Sequence, residues 1–145
     1  MTEVFVVDGA RTAFGSFGGG LKDATAHQLG VATAKGALER SGLDASKVDN
    51  VVMGNVIQAH EGAPYLARHV ALDSGVPIET PALTLNRLCG SGLQAVVSAT
   101  QSIKLGESEV GLAGGAEASM LTAWPAGRRP RRCSTSSSPR RARSS

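Results

Sequence analysis

The stretch ALTLNRLCGSGLQAVVSATQSIKLG, residues 82–106, contains the pattern that decides the fold. Residues 82–85 form a short apolar run of the kind found in buried strands. Apolar side chains then recur near helical spacing over residues 93–105, and Gly106 follows as a helix stop. The connection between the two parts ends in four small residues, Cys-Gly-Ser-Gly at 89–92. The stretch therefore predicts a strand, a tight turn and a helix, which is the repeating unit of a parallel α/β sheet.

The rest of the chain repeats this unit. The same patterns predict three further strands at residues 4–7, 48–57 and 109–115, and two further helices at residues 27–40 and 65–74. Thr25 and Gly42 are the expected cap and stop of the first helix. Four strands alternating with three helices indicate βαβ units and a mostly parallel sheet. The strands then end along one edge, where a site is expected.

The net charge changes sign near residue 120. Residues 1–120 hold all 12 acidic residues and 8 basic ones, a net charge of −4, whereas residues 121–145 hold 7 arginines and no acidic residue, a net charge of +7. A segment of this composition buries too little apolar surface to offset its ordering entropy, so we expect residues 121–145 to be disordered. Its arginines lack interleaved aromatic residues, so we expect no specific recognition of nucleic acid.

Composition also excludes several protein classes. No stretch approaches the roughly 20 apolar residues that a membrane span needs, and no signal-peptide pattern is found, so we expect a cytoplasmic protein without a membrane segment. Cys89 and Cys133 are too few for a disulfide scaffold or a zinc cage. His60-Glu61 begins a zinc-protease motif, but Pro64 stands where its second histidine belongs, so no metal site is predicted.

Cys89 is the candidate catalytic residue because it lies in the turn between a predicted strand and a predicted helix. A thiol at a helix N-terminus is close to unpaired N–H groups and to the positive end of the helix dipole, which lower the pKa of such a thiol. The same N–H groups stabilise negative charge that develops on an oxygen of a tetrahedral intermediate. The alternative is that Cys89 is a small buried core residue, as free cysteines often are.

A second interpretation applies to the same segment. Residues 90–95, Gly-Ser-Gly-Leu-Gln-Ala, fit the G-x-G-x-x-A fingerprint of dinucleotide-binding domains, and Glu117 follows the next predicted strand. That fingerprint belongs to the first strand–helix unit of a domain, whereas this segment lies in the third. A dinucleotide-binding domain is therefore the weaker alternative.

Five motifs taken together resemble the N-terminal part of the thiolases in order and spacing. They are DGARTAFGSFGG (8–19), Gly54-Asn55-Val56, Ala67-Arg68, NRLCGSGLQA (86–95) and Gly114-Gly115-Ala116-Glu117. The resemblance covers residues 2–120 and, within the family, is to the acetyl-CoA C-acetyltransferases or biosynthetic thiolases. It implies the N-terminal half of a layered αβαβα fold, with a mixed, mostly parallel five-stranded sheet and helices on both faces.

The resemblance also implies a chemistry. Cys89 matches the cysteine that takes an acyl group from acyl-CoA as a thioester. The carbanion of a second acetyl-CoA then attacks the acyl-cysteine to give acetoacetyl-CoA and CoA, or the reaction runs in reverse. A coenzyme A thioester is thus a substrate, and no tightly bound cofactor is expected. The resemblance further implies a place in fatty acid metabolism and a homo-oligomer for the full-length protein.

The sequence also departs from the family pattern. It contains neither the Gly-His-Pro motif, whose histidine activates the nucleophile, nor the Cys-x-Gly motif, whose cysteine moves the proton, and Cys133 does not match the latter. We therefore expect residues 1–120 to be an incomplete thiolase N-terminal domain, residues 121–145 to be a frameshifted sequence, and the chain to be inactive alone. The alternative function is a non-catalytic fragment with only association or non-specific binding.

Overall fold

Helices and strands alternate along the chain in the computed structural model, which describes residues 2–59 and 61–118. The elements are α1 (Ala26–Ser41), β1 (Asn50–Gly54), α2 (Leu66–Asp73), β2 (Ala82–Leu85), α3 (Ser91–Leu105) and β3 (Gly111–Gly115). Short 3-10 helices, Ala45–Lys47 and Ala63–Tyr65, precede β1 and α2. The three predicted helices and three of the four predicted strands are confirmed. The predicted disordered tail, residues 121–145, lies outside the described residues.

The three strands form one sheet in the order β2-β1-β3, and both pairings are parallel. The central residue Val52 pairs with Leu83 on one side and with Ala113 on the other. Since the strands run in the same direction, their carboxyl ends meet at one edge of the sheet. The predicted α/β class with a mostly parallel sheet is confirmed, and the described residues contribute three parallel strands to the five that the resemblance implies.

Strand β1 separates two helical layers. Its side chains alternate, so that Val51 and Met53 join the core beneath α1 and α2, whereas Val52 packs with Ala95 and Ala99 of α3 on the opposite face. A central parallel strand is buried on both faces and is therefore mostly apolar, as residues 51–53 of β1 are. Helices thus cover both faces of the sheet, as predicted.

Helix α1 has the ends that its sequence predicts. The Thr25 hydroxyl accepts the Gln28 N–H at 3.1 Å, and the Gln28 side chain accepts the Thr25 N–H at 3.0 Å, which is a complete capping box. Gly42 follows with φ of 66°, a left-handed conformation that glycine adopts without strain. Its N–H donates to the carbonyls of the last turn.

The predicted strand at residues 4–7 is wrong. Phe5, Val6 and Val7 are 76%, 85% and 69% exposed and pair with no described strand. A cavity of about 670 Å³ lies between this segment and β3 and is lined by residues from both. The β-branched pattern describes a side chain's preference for a sheet, but a strand also needs a neighbour at about 4.8 Å, and none of the described strands supplies one to this segment.

Two carboxyl groups fix the loops that flank α1. The N–H of Gly9 and then the guanidinium of Arg40 hold the pKa of Asp8 below its ordinary value of 3.8. The Arg40 Nη2 atom lies 3.1 Å from Asp8 Oδ1, which attaches the N-terminal segment to α1. Asp44 caps the first 3-10 helix by accepting the Ser46 N–H at 2.9 Å, and this bond lowers the pKa of Asp44.

Candidate active site

Cys89 lies in the turn that connects β2 to α3, as the sequence predicts. Its side chain is exposed, so the alternative of a buried core cysteine is wrong. Leu88 immediately before it has φ of +50°, a left-handed conformation that costs a non-glycine residue about 1–3 kcal/mol. Such a conformation persists only when surrounding contacts hold it. The turn that presents the thiol is therefore a constrained one.

Ser91, the first residue of α3, holds the turn from the helix side. Its hydroxyl donates to the Leu88 carbonyl at 2.6 Å and accepts the Arg87 N–H at 2.8 Å. The backbone N–H groups of Gly90 and Ser91 donate to the carbonyls of Arg87 and Leu88 at 3.1 and 3.0 Å. Ser91 is only 4% exposed, so the turn and the start of α3 form one packed unit.

The N-terminus of α3 is open beside the thiol. Its N-cap is Gly90, which has no side chain to accept the first N–H groups of the helix. An α-helix leaves its first N–H groups without an intrahelical partner, and they carry the positive end of the helix dipole. The Ser91 N–H already donates to the Leu88 carbonyl, so within the described residues those of Gly92 and Leu93 are available to a negatively charged atom bound next to Cys89, such as the oxygen of a tetrahedral intermediate.

Two glycines let α3 approach the sheet closely. A Cβ atom at Gly54 would lie 2.6 Å from the carbonyl carbon of Ser91. A Cβ atom at Gly115 would lie 3.3 Å from Gly92 Cα. Gly54 and Gly115 are paired at the carboxyl ends of β1 and β3. The start of α3, and with it the Cys89 turn, thus rests directly on the carboxyl edge of the sheet.

The Glu117 side chain joins the end of β3 to the end of β1. Its carboxylate accepts the Asn55 side-chain amide at 3.2 Å and the N–H groups of Val56 and Ile57 at 3.0 and 2.9 Å. Strand β1 ends at Gly54 because these N–H groups bond to a side chain and not to a neighbouring strand. The dinucleotide alternative places an acidic residue here on a ribose hydroxyl, but both oxygens of Glu117 already accept backbone donors.

Asn86 joins the end of β1 to the Cys89 turn. Its amide nitrogen donates to the Val56 carbonyl at 3.3 Å, and its Oδ1 accepts the Leu88 N–H at 2.9 Å. We did not predict roles for Asn86 and Glu117 from the sequence. The available signal was their position, since each polar residue follows closely after a strand and the strand ends share one edge.

The described histidines lie away from Cys89. His27 Nε2 is 2.8 Å from Asp73 Oδ2, and the His27 ring is 5.6 Å from that of His69. These residues belong to α1 and α2, which cover the face of the sheet opposite α3. His60 and Cys133 lie outside the described residues.

Within residues 2–59 and 61–118, no three histidine, cysteine, aspartate or glutamate residues are grouped closely enough to hold a metal ion. No helix of the same part of the chain is long and apolar enough to cross a membrane.

Comparisons with known proteins point to one family. The family model for the thiolase N-terminal domain matches residues 4–138. A β-ketothiolase from Cupriavidus necator is 53% identical over 115 residues, covering 79% of this chain and 29% of the relative. An acetyl-CoA acetyltransferase from the same organism is 45% identical over 117 residues, covering 81% of this chain and 30% of the relative.

A solved structure also matches. The human mitochondrial 3-ketoacyl-CoA thiolase in complex with CoA superposes with a TM-score of 0.74 at 53% identity, covering 75% of this chain and 28% of that one. The chain thus spans about three-tenths of the length of the relatives it matches. Because the family model matches well over half of the chain, the chain belongs to the thiolase family.

Proposed function

We propose that this chain carries the nucleophile of an acyl-CoA acyltransferase and that Cys89 accepts the acyl group. The observation that carries the proposal is the exposed Cys89 thiol in a constrained turn next to the open N-terminus of α3. A nucleophile must be accessible and held in place, and this position favours both.

The proposed acyl transfer makes use of this geometry. The Cys89 thiolate attacks the thioester carbonyl carbon, and the first N–H groups of α3 stabilise the charge on the carbonyl oxygen. The bond from the carbonyl carbon to the CoA sulfur then breaks, CoA leaves as a thiolate that takes up a proton, and the acyl group remains on Cys89. Exchange of one thioester for another keeps the acyl group activated for a second step.

We propose acetyl-CoA as the acyl donor and condensation with a second acetyl-CoA, or cleavage of acetoacetyl-CoA in reverse, as the complete reaction. Similarity to an acetyl-CoA acetyltransferase supports this substrate. A second candidate is the cleavage of longer 3-ketoacyl-CoA, which is favoured by 54% identity over 114 residues to a human protein named 3-ketoacyl-CoA thiolase. In both, coenzyme A thioesters are the substrates.

We further propose that the complete reaction needs groups beyond those of this chain. Condensation requires a base that removes a proton from the second substrate. His27 and His69 lie on the far face of the sheet, and the sequence lacks the Gly-His-Pro and Cys-x-Gly motifs of the family. The chain then accepts an acyl group on Cys89 but does not complete the catalytic cycle. Acylation of Cys89 is what distinguishes this proposal from the alternative of a non-catalytic fragment.

Trapping the acyl-cysteine tests the proposal. The chain is incubated with acetyl-CoA, quenched in acid and digested, and each cysteine peptide is analysed by mass spectrometry. We expect acetyl on Cys89 in the wild type and in a Cys133→Ser control, and none in Cys89→Ser. Equal labelling of Cys89 and Cys133 would show ordinary thiol chemistry and refute the proposal. In a separate assay, cleavage of acetoacetyl-CoA by CoA should not exceed that of Cys89→Ala.

A further inference from the structure

We propose that Glu117 is a positioning residue for Cys89, and that it acts through a hydrogen-bond relay across the carboxyl edge of the sheet. The relay runs from Glu117 after β3, through Val56 after β1, to Asn86 and Leu88 after β2. The functional importance of positioning Cys89 rests on the proposed function above. The existence of the relay does not rest on that function, because the relay is a set of hydrogen bonds within the fold.

The first step of the relay fixes the chain after β1. Glu117 is the acceptor for three donors from residues 55–57, at distances of 2.9 to 3.2 Å. Hydrogen bonds to a carboxylate are about twice as strong as those between neutral groups. Asn55 is 1% exposed and also donates to the Ala116 carbonyl at 2.9 Å, which fixes the segment from its buried side. The position of the Val56 carbonyl is therefore set by Glu117.

The second step transmits this position to the turn. The Val56 carbonyl accepts the Asn86 amide at 3.3 Å, and the same side chain accepts the Leu88 N–H at 2.9 Å. Leu88 is the residue with positive φ, and Cys89 is bonded to it. Ser91 holds the turn from the helix side, through the Leu88 carbonyl and the Arg87 N–H. The relay holds the Leu88 N–H and so fixes the same residue from the sheet side.

A local role can be separated from a general contribution to folding. If Glu117 only stabilised the fold, its loss would accelerate hydrogen exchange at all amides by the same factor. If it positions the turn, its loss frees the N–H groups of residues 56 and 57 and, two steps away, that of Leu88. The amide of Val52, in the centre of β1, does not depend on the relay.

The experiment measures amide hydrogen exchange, residue by residue, on the full chain. Glu117→Gln keeps one carbonyl oxygen but replaces the other with an NH₂ group, which cannot accept. We expect the Leu88 amide to exchange about tenfold faster, equivalent to about 1.4 kcal/mol, while Val52 stays unchanged. Asn86→Ala should accelerate Leu88 similarly and leave Ile57 unchanged. Glu79→Gln is the matched control, since Glu79 is exposed and takes part in none of the hydrogen bonds of the relay.

A second readout follows the thiol. The rate of Cys89 alkylation by iodoacetamide, measured across pH and resolved from Cys133 by mass spectrometry, should change in the same direction in Glu117→Ala and Asn86→Ala. Glu117→Gln should restore part of the wild-type profile. An unchanged Leu88 exchange rate, or equal acceleration at Val52 and Leu88, would overturn the relay. Absence of acetyl on Cys89 together with the expected exchange pattern would instead refute only the proposed function.

Discussion

An alanine at Gly54 places a methyl carbon against the backbone of helix α3. The new atom would lie 2.6 Å from the Ser91 carbonyl carbon and 2.8 Å from both the Ser91 oxygen and its Cβ. Carbon atoms pack at about 3.5–4.0 Å, so the start of α3 must move by roughly 1 Å. Because the obstacle is backbone, no rotation of a side chain relieves it.

The size of the effect follows from two opposing terms. Overpacking in a core costs about 1–3 kcal/mol, and a contact with rigid backbone belongs at the upper end of that range. Alanine also restricts the unfolded chain more than glycine does, which returns about 0.4–1 kcal/mol where the native backbone suits it. We therefore expect Gly54→Ala to lower the free energy of unfolding by about 2 kcal/mol. The displaced α3 should also change the alkylation rate of Cys89.

Gly92→Ala, in the first turn of α3, is the matched control. Its Cβ atom would have nothing within 4 Å, and the residue is helical. We expect this substitution to raise the free energy of unfolding by about 0.5–1 kcal/mol, since alanine is the better helix former. Urea unfolding followed by far-UV circular dichroism measures both variants against the wild type.

The two variants are expected to change the free energy of unfolding in opposite directions, so comparing them tests the close packing directly. If Gly54→Ala unfolds at the same urea midpoint as the wild type, with the same slope, α3 does not rest on β1 as closely as 2.6 Å requires. If both variants lose stability equally, the loss of a glycine near the start of α3 is the cause, and close packing of Gly54 against Ser91 is not.

Three further outcomes follow from the structure. Thr25→Ala removes the capping box of α1 and should cost about 1 kcal/mol in urea unfolding, whereas Thr25→Ser should retain most of it. Gly30→Ala would place Cβ 2.7 Å from Val70 Cγ2, so it should destabilise by about 1–3 kcal/mol, and Val70→Ala in that background should recover part of the loss in a double-mutant cycle. The lowered pKa values of Asp8 and Asp44 mean that the unfolded chain binds more protons than the folded one as acid is added. Their stabilisation is present above pH 3.8 and is lost as the pH falls through the lowered folded pKa values, and a double Asp→Asn variant should show a flatter pH dependence of unfolding.

Local chemistry made much of the fold predictable. The capping box at Thr25 and the left-handed glycine at Gly42 are determined by a few adjacent residues, so α1 was predicted within one residue at each end. The strand at 82–85 and the turn with Cys89 were predicted for the same reason. Residues 4–7 show the limit, because pairing of a strand depends on a neighbour that lies far away in the sequence.

The sequence predicted one residue of the candidate site, Cys89, but not the contacts that surround it. Cys89 was identified from its place between a strand and a helix. The contact of Gly54 with Ser91, and the bonds from Glu117 to residues 55–57, join segments that are 37 and about 60 positions apart. Spacing along the chain carries no information about such contacts until the order of the strands is known.

The sequence by itself determined the α/β alternation, the ends of the helices and the position of the cysteine, since each depends on interactions within one or two turns of chain. Only the tertiary structure decided that β1 lies between β2 and β3 and thus brings three strand ends together. It also decided that two glycines admit α3 to that edge and that Glu117 bonds the loop beside it. The physical reason is that close packing and hydrogen bonding between strand ends depend on distances in space, which the parallel sheet sets.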